Sequence, residues 1–214
     1  MKAKWIENGT ATKEFICSET KPNIFLIGDS IRQGYCATVK EKLADTAEVF
    51  YFADNCRSTQ YAIFNMKSWA GMFNDPSRVD VVHFNCGHWD VAHFHGVEDS
   101  LTSIEEYERN INVIIKLLKR FFPNAKLIFA TSSPMNTNRL FMNETNPRSN
   151  EEIDRYNKSA VEIAKKHGVA INDLNSYMRS WGSECFSDTC HLTTEAFAIL
   201  GNEVARILKE FIET

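Results

Sequence analysis

Two short motifs at opposite ends of the chain carry residue types that suit nucleophilic chemistry. Near the start, the apolar run Asn23-Ile24-Phe25-Leu26-Ile27 stops at Gly28-Asp29-Ser30 and gives way to a helical pattern. A serine on such a strand-to-helix turn has free backbone N–H groups and the positive end of a helix beside it. Far downstream, Asp188-Thr189-Cys190-His191 offers a carboxylate and an imidazole three positions apart, just ahead of the last helical segment. A serine attacks a carbonyl when an imidazole takes its proton, and the imidazole works when a carboxylate fixes its tautomer and steadies its charged form. Each motif has a plainer reading. Gly-Asp-Ser is also an ordinary helix start with an Asp or Ser cap, or a phosphate-cradling turn, although one Gly without a Lys fits a P-loop poorly. Asp188 also suits a turn, and His191 merely precedes Thr193, a natural N-cap.

The elements that must bring these ends together are legible as alternating strands and helices. Apolar runs at 23–27, 47–52, 79–85, 125–131 and 168–172 read as strands covered on both faces, since they do not alternate strictly. Helical periodicity fills the gaps at 31–44, 59–73, 103–120, 150–167 and 194–212. Ser103 to Glu106 and Ser149 to Glu152 have the spacing of capping boxes, and Gly168 is placed to end the second of these helices. A βα alternation implies a parallel sheet between two helical layers, with ligands at the carboxyl ends of its strands. Ser30 lies at that edge, as do the two long polar loops, 86–102 and 132–149.

The 214 residues suit a single domain, 1–214, with 1–21 as an N-terminal extension ahead of the first strand. A net charge of -4 with no basic stripe argues against nucleic-acid binding. No apolar stretch reaches the roughly 20 residues of a membrane helix. The opening residues carry charge and Gly where a signal peptide needs an apolar run, and the six cysteines form no CxxC pair. The expectation is a soluble, reduced, cytoplasmic protein.

Taken together and in this order, the motifs resemble those of the SGNH hydrolases, the GDSL-like esterase/lipase superfamily, over roughly residues 22–212. Gly28-Asp29-Ser30 stands where the family has its nucleophile, and Asp188 to His191 matches its closing DxxH. The resemblance implies a flavodoxin-like three-layer α/β/α sandwich with a five-stranded parallel sheet. It also implies a Ser30–His191–Asp188 triad that hydrolyses small acyl esters, acetyl groups on carbohydrate among them, through an acyl-enzyme and without cofactor.

The middle blocks depart from the family pattern. Arg57, in Asp54-Asn55-Cys56-Arg57-Ser58-Thr59, holds the position of a family Gly whose N–H steadies the oxyanion. A backbone donor survives that exchange unless φ is positive. Gly87-His88-Trp89-Asp90 stands where the family has GxND, so Trp89 replaces the side-chain oxyanion donor. Asn85, two residues before Gly87, is the preferred substitute, against the plainer reading of a strand-end Asn that satisfies backbone. The oxyanion set expected is therefore Ser30, Arg57 and Asn85.

Asp29, His88 and Trp89 are the expected substrate contacts, with Phe94 and His95 beside Trp89 as a sugar-stacking platform or as plain loop packing. His88, His93, His95 and Asp90 invite a metal reading, but their spacing is irregular and the serine chemistry needs none. The expectation is no metal. Arg139 and the Asn-rich 136–146 suit hydroxyl or carboxylate binding, or an exposed turn. His83, inside an apolar strand, reads as a satisfied core histidine. Two other readings use the same residues: a non-catalytic carbohydrate-binding relative, and an acyltransferase with an alcohol in place of water.

Overall fold

The apolar runs become five parallel strands in the computed structural model, which describes residues 14–138 and 145–213. They are β1 (Asn23–Ile27), β2 (Glu48–Phe50), β3 (Val81–Phe84), β4 (Lys126–Ala130) and β5 (Ala170–Asn172), in the order β2-β1-β3-β4-β5. Alternate residues enter different layers. Phe25, Ile27, Val82, Phe84, Leu127 and Phe129 join one apolar cluster, whereas Ile24, Leu26, Val81, Ile128 and Ala130 join the other. The first cluster is closed by α2 (Thr59–Ala70), α3 (Ile104–Phe121) and α4 (Asn150–Lys166). The second is closed by α1 (Ser30–Lys42), α5 (Leu174–Met178) and α6 (Thr194–Ile212). With both faces covered, an alternating polar pattern has no place in these strands.

The caps set the ends. Ser149 and Glu152 form a reciprocal capping box on α4, Ser103 Oγ accepts from Glu106 N at the start of α3, and Thr193 Oγ1 accepts from Ala196 N at the start of α6. Gly168, at φ 68°, turns the chain out of α4, so β5 begins at Ala170 and is shorter than the apolar run. The short α5 has no counterpart in the periodicity.

The N-terminal extension is only partly an extension. Phe15 bridges to Phe73 and its ring lies 5.1 Å from that of Phe73 and 5.3 Å from that of Phe50, while Cys17 is buried. Phe15 and Cys17 thus pack onto the core, while Ile16 between them stays exposed.

Strand order reverses between β1 and β3, the crevice where open α/β sheets bind ligands. Ile27 pairs with Phe84, and Asn85 N–H donates to Ile27 O at 3.1 Å. Gly28 and Asn85 therefore leave the sheet side by side. Helices α1 and α6 close against each other where Gly34 faces Phe197; a Cβ at residue 34 would sit 2.2 Å from that ring. Ser30 is one turn before Gly34, and His191 precedes α6, so this close approach brings the two ends of the chain to one edge. No described helix is long and apolar enough to cross a membrane.

Candidate active site

Ser30 is the first residue of α1, and Asp29 is its N-cap, accepting from Ile31 N at 2.9 Å. Asp29 is 1% exposed and meets Asn85 rather than open solvent, so it serves the turn and is no surface for substrate. Beneath the turn lies Arg32, fully buried, which the sequence reading missed. Its guanidinium donates to Gly28 O at 3.0 Å, Phe52 O at 2.7 Å and Asp54 O at 2.6 Å, and stacks on the Phe52 ring. Strand-end carbonyls surround the charge, and it ties the Ser30 turn to the loop after β2.

The other half is a self-closed turn. Phe186 and Leu192 bridge antiparallel, and Ser187 N–H donates to His191 O at 2.9 Å. Within it Asp188 Oδ1 accepts from Cys190 N at 2.8 Å and His191 N at 2.7 Å, leaving Oδ2 to accept from His191 Nδ1 at 2.7 Å. His191 Nε2 lies 2.8 Å from Ser30 Oγ. With Nδ1–H donating to the Asp188 carboxylate, Nε2 of the neutral ring is the acceptor and the serine hydroxyl donates to it. The Cys190 sulfur, 3.6 Å from Nδ1, and the Asp188 carboxylate hold His191 up at about 9 against its partial burial. Burial works to raise the Asp188 carboxyl, but the two backbone donors and the imidazole outweigh it and hold it below its ordinary value.

At the expected oxyanion positions the three residues differ. Ser30 N–H opens α1, where helix geometry offers no internal acceptor. Asn85 is 5% exposed, receives Asp29 N–H on Oδ1 at 3.3 Å and reaches Asp29 Oδ2 with Nδ2 only at 3.4 Å. A Cβ on residue 28 would lie 2.1 Å from Asn85 Oδ1, so the Gly of the triplet makes room for this amide. Arg57 stands at φ 50°, the left-handed region that favours the family's Gly. Its N–H is taken by Asn55 Oδ1 at 2.8 Å. The expectation that Arg57 offers a free donor therefore gives way to an Asn-closed turn.

The 86–102 loop divides into interior and rim. His88 is buried, and Arg148 Nη1 approaches its Nδ1 at 3.5 Å, so Nε2–H donates to Ser133 Oγ at 2.9 Å. Burial pushes His88 down to about 4, Asp29 opposes the drop, and Arg148 and His191 add to it. His88 is thus a neutral brace behind the site and no outward substrate contact. Asp90 is buried too, accepting from Thr59 N at 3.0 Å and Thr59 Oγ1 at 2.5 Å; it anchors the loop on the first turn of α2, and burial raises it to about 6. Trp89 is half-buried, its ring 5.6 Å from that of Phe94.

His93 turns from the site to Glu152 Oε1, 2.8 Å away, and to Val97 O. Exposed His95 donates its backbone N–H to Thr145 O. The three loop histidines thus serve separate partners and do not converge. His83 is buried with Nε2 against Asn172, but its Nδ1 has no partner, and burial lowers it to about 4; it is a half-satisfied core histidine. Arg139 lies outside the described residues.

The profile of the GDSL-like lipase/acylhydrolase family matches residues 26–199. The GDSL esterase/lipase WDL1 of Oryza sativa subsp. japonica is 30% identical over 143 residues, 63% of this chain and 54% of that protein. CPRD49, a GDSL esterase/lipase of Arabidopsis thaliana, is 25% identical over 208 residues, 89% of this chain and 80% of its own. The matched stretch spans about half the length of the first relatives, 54% and 48%. The fold is shared with a carbohydrate acetylesterase from Sinorhizobium meliloti, at a TM-score of 0.67 and 13% identity, over 89% of this chain and 99% of that one. A match running from the end of β1 into α6 takes in both halves of the site, and this chain belongs to the GDSL-like lipase/acylhydrolase family.

Proposed function

We propose that the chain is a serine esterase acting on short acyl esters, with Ser30 as nucleophile, His191 as general base and Asp188 as its orienting carboxylate. The 2.8 Å approach of Ser30 Oγ to His191 Nε2 carries this reading. The Ser30 proton moves to Nε2 as Oγ bonds to the ester carbonyl carbon, and the carbonyl oxygen takes up the negative charge. In this reading Ser30 N–H and Asn85 Nδ2, which Asp29 Oδ2 holds only at 3.4 Å, stabilise that charge, and Arg57 N–H joins them once it leaves Asn55 Oδ1. His191 then passes its proton to the leaving alkoxide, which departs as the alcohol. Water, deprotonated in turn by His191, attacks the acyl-serine and frees the acid and Ser30.

The rim supports a small, polar substrate. Asp188 and His191 side chains are 47% and 40% exposed, so the site is shallow, and its flanking loops are polar. The half-buried Trp89–Phe94 pair offers an aromatic edge on which a sugar ring can stack. An acetyl ester on a carbohydrate suits both features.

A fluorophosphonate probe followed by peptide mapping tests the assignment. The expected result is one label per chain, on Ser30, together with hydrolysis of p-nitrophenyl acetate that Ser30→Ala abolishes. Labelling elsewhere, or full turnover by Ser30→Ala, overturns it.

A further inference from the structure

The turn that presents the catalytic imidazole also gathers three metal-ligating atoms. Asp188 carboxylate oxygen, Cys190 Sγ and His191 Nδ1 lie within 4.8 Å of one another. We propose that this turn is an inhibitory site for a thiophilic divalent cation of the zinc class, and that its occupation is mutually exclusive with a working Ser30–His191 pair.

The donor geometry suits such an ion. Tetrahedral zinc, with bonds of about 2.3 Å to sulfur and about 2.0–2.1 Å to nitrogen, holds those two donors roughly 3.5 Å apart. Cys190 Sγ and His191 Nδ1 already stand 3.6 Å apart. A nitrogen and a carboxylate oxygen on the same ion sit roughly 3.3 Å apart. Asp188 Oδ2 is at 2.7 Å, drawn in by the Nδ1 proton. Remove that proton and the short contact loses its cause, so Oδ2 can withdraw by the roughly 0.6 Å required. Oδ1 meanwhile keeps its two backbone donors. One thiolate, one imidazole and one carboxylate leave a fourth position for water. The turn is closed by its own backbone bonds, which lowers the ordering cost of binding, and the half-exposed Asp188 and His191 give the ion a path in.

The exclusion is tautomeric. Catalysis needs the imidazole proton on Nδ1 and the lone pair on Nε2, facing Ser30 Oγ. A cation on Nδ1 takes that nitrogen's lone pair and forces the proton onto Nε2. The Cys190 thiol proton leaves to solvent, and the nitrogen beside Ser30 becomes a donor that cannot accept the serine proton. Binding is independent of whether Ser30 is a nucleophile; the inhibition alone rests on the esterase reading.

Cadmium reports on the site directly, through its ultraviolet sulfur-to-metal charge-transfer absorption. Titration of the full chain with Cd²⁺ should show one equivalent bound with that band, and Cys190→Ala should lose it, while Cys185→Ser, which also removes one thiol, should keep it. With p-nitrophenyl acetate, Zn²⁺ should inhibit the wild type reversibly on adding EDTA. The inhibiting concentration should rise at least about tenfold in Cys190→Ala, each protein being compared with its own metal-free rate. A band retained in Cys190→Ala, or lost in Cys185→Ser, overturns the site. A band that behaves as expected in a protein without esterase activity sinks the proposed function and leaves the cation site standing.

Discussion

Two histidines in this molecule each bond a carboxylate at almost the same distance, yet the proposed function gives them opposite work. His191 Nδ1 meets Asp188 Oδ2 at 2.7 Å, and His93 Nε2 meets Glu152 Oε1 at 2.8 Å. The difference lies at the other ring nitrogen. That of His93 faces the Val97 carbonyl at 3.2 Å, which can only accept, so both bonds form together only in the imidazolium. That of His191 faces a hydroxyl, which can donate, so the neutral ring, formed as pH passes about 9, satisfies both neighbours and is a base. A His–carboxylate pair is thus no signature of catalysis. The third partner decides whether the pair clamps or reacts.

Alanine at each position separates the two roles most widely. His191→Ala should lower kcat/KM on p-nitrophenyl acetate by about 10⁴-fold or more, because triad members act as a unit. His93→Ala should leave the rate within a few-fold and lower stability by about 1 kcal/mol or less, as expected for a partly exposed ion pair. The comparison breaks if the two variants lose activity equally.

Asn85→Ala makes a narrower cut at the oxyanion side. It should reduce kcat by about 10²–10³-fold with little change in KM, since the bond is made to charge that appears only in the transition state. An unchanged kcat would pass the role to Trp89 or to backbone donors alone.

What the sequence displayed and what it concealed follow from the range of the interactions. The strands, the five long helices and the Gly-Asp-Ser and DxxH turns are local patterns, set by apolar period, caps and Gly, and they stand in the structure close to where the pattern puts them, with β2 and β5 trimmed to three residues each. Asp29 was harder: a carboxylate beside a nucleophile reads as a ligand contact, whereas one hydrogen bond to Ile31 N makes it a cap. Arg32 gives little local signal: Gly28 O is only four residues away, but its other partners, the Phe52 and Asp54 carbonyls on the loop after β2, are known only once the sheet is assembled. Phe15 enters the core by pairing with Phe73, a contact no periodicity records. The left-handed φ of Arg57 is likewise invisible in its side chain, which is why the loss of the family's Gly could be noticed but its consequence could not be read.

The pH dependence of the rate sharpens the comparison on the catalytic side. In the proposed mechanism His191 must be neutral to accept the serine proton, and Cys190 and Asp188 hold it up at about 9. In metal-free protein, kcat/KM should therefore climb with pH and level off above about 9. Removing the sulfur removes one of the two supports, so Cys190→Ala should move this limb toward lower pH. Profiles that coincide would show that Asp188 alone sets the base.

The smallest effect is the one the clamp should show, with the sign reversed. Glu152 raises His93 above its ordinary 6.5, so the stability this histidine supplies is complete below that value and fades as pH rises through the folded-state value. Burial pulls Glu152 upward, but His93 and Ser149 outweigh it and hold the carboxyl below its ordinary 4.5, so its share is present above that value and fades as the pH falls. The pair is fully charged between these limits. The Tm difference between wild type and His93→Gln should be greatest near pH 5–6 and narrow above neutrality. Because the two side chains are 20% and 28% exposed, about 1 kcal/mol or less is at stake. What the clamp holds is specific: His93 lies where the 86–102 loop pairs with 145–147, through His93 N to Pro147 O and His95 N to Thr145 O. Hydrogen exchange at these two amides should therefore quicken in His93→Gln at pH 6 while the amides of β1 and β3 keep their rates. Uniform loss of protection would mean that the pair supports the whole fold, and the division between a clamp and a reacting pair would need to be redrawn.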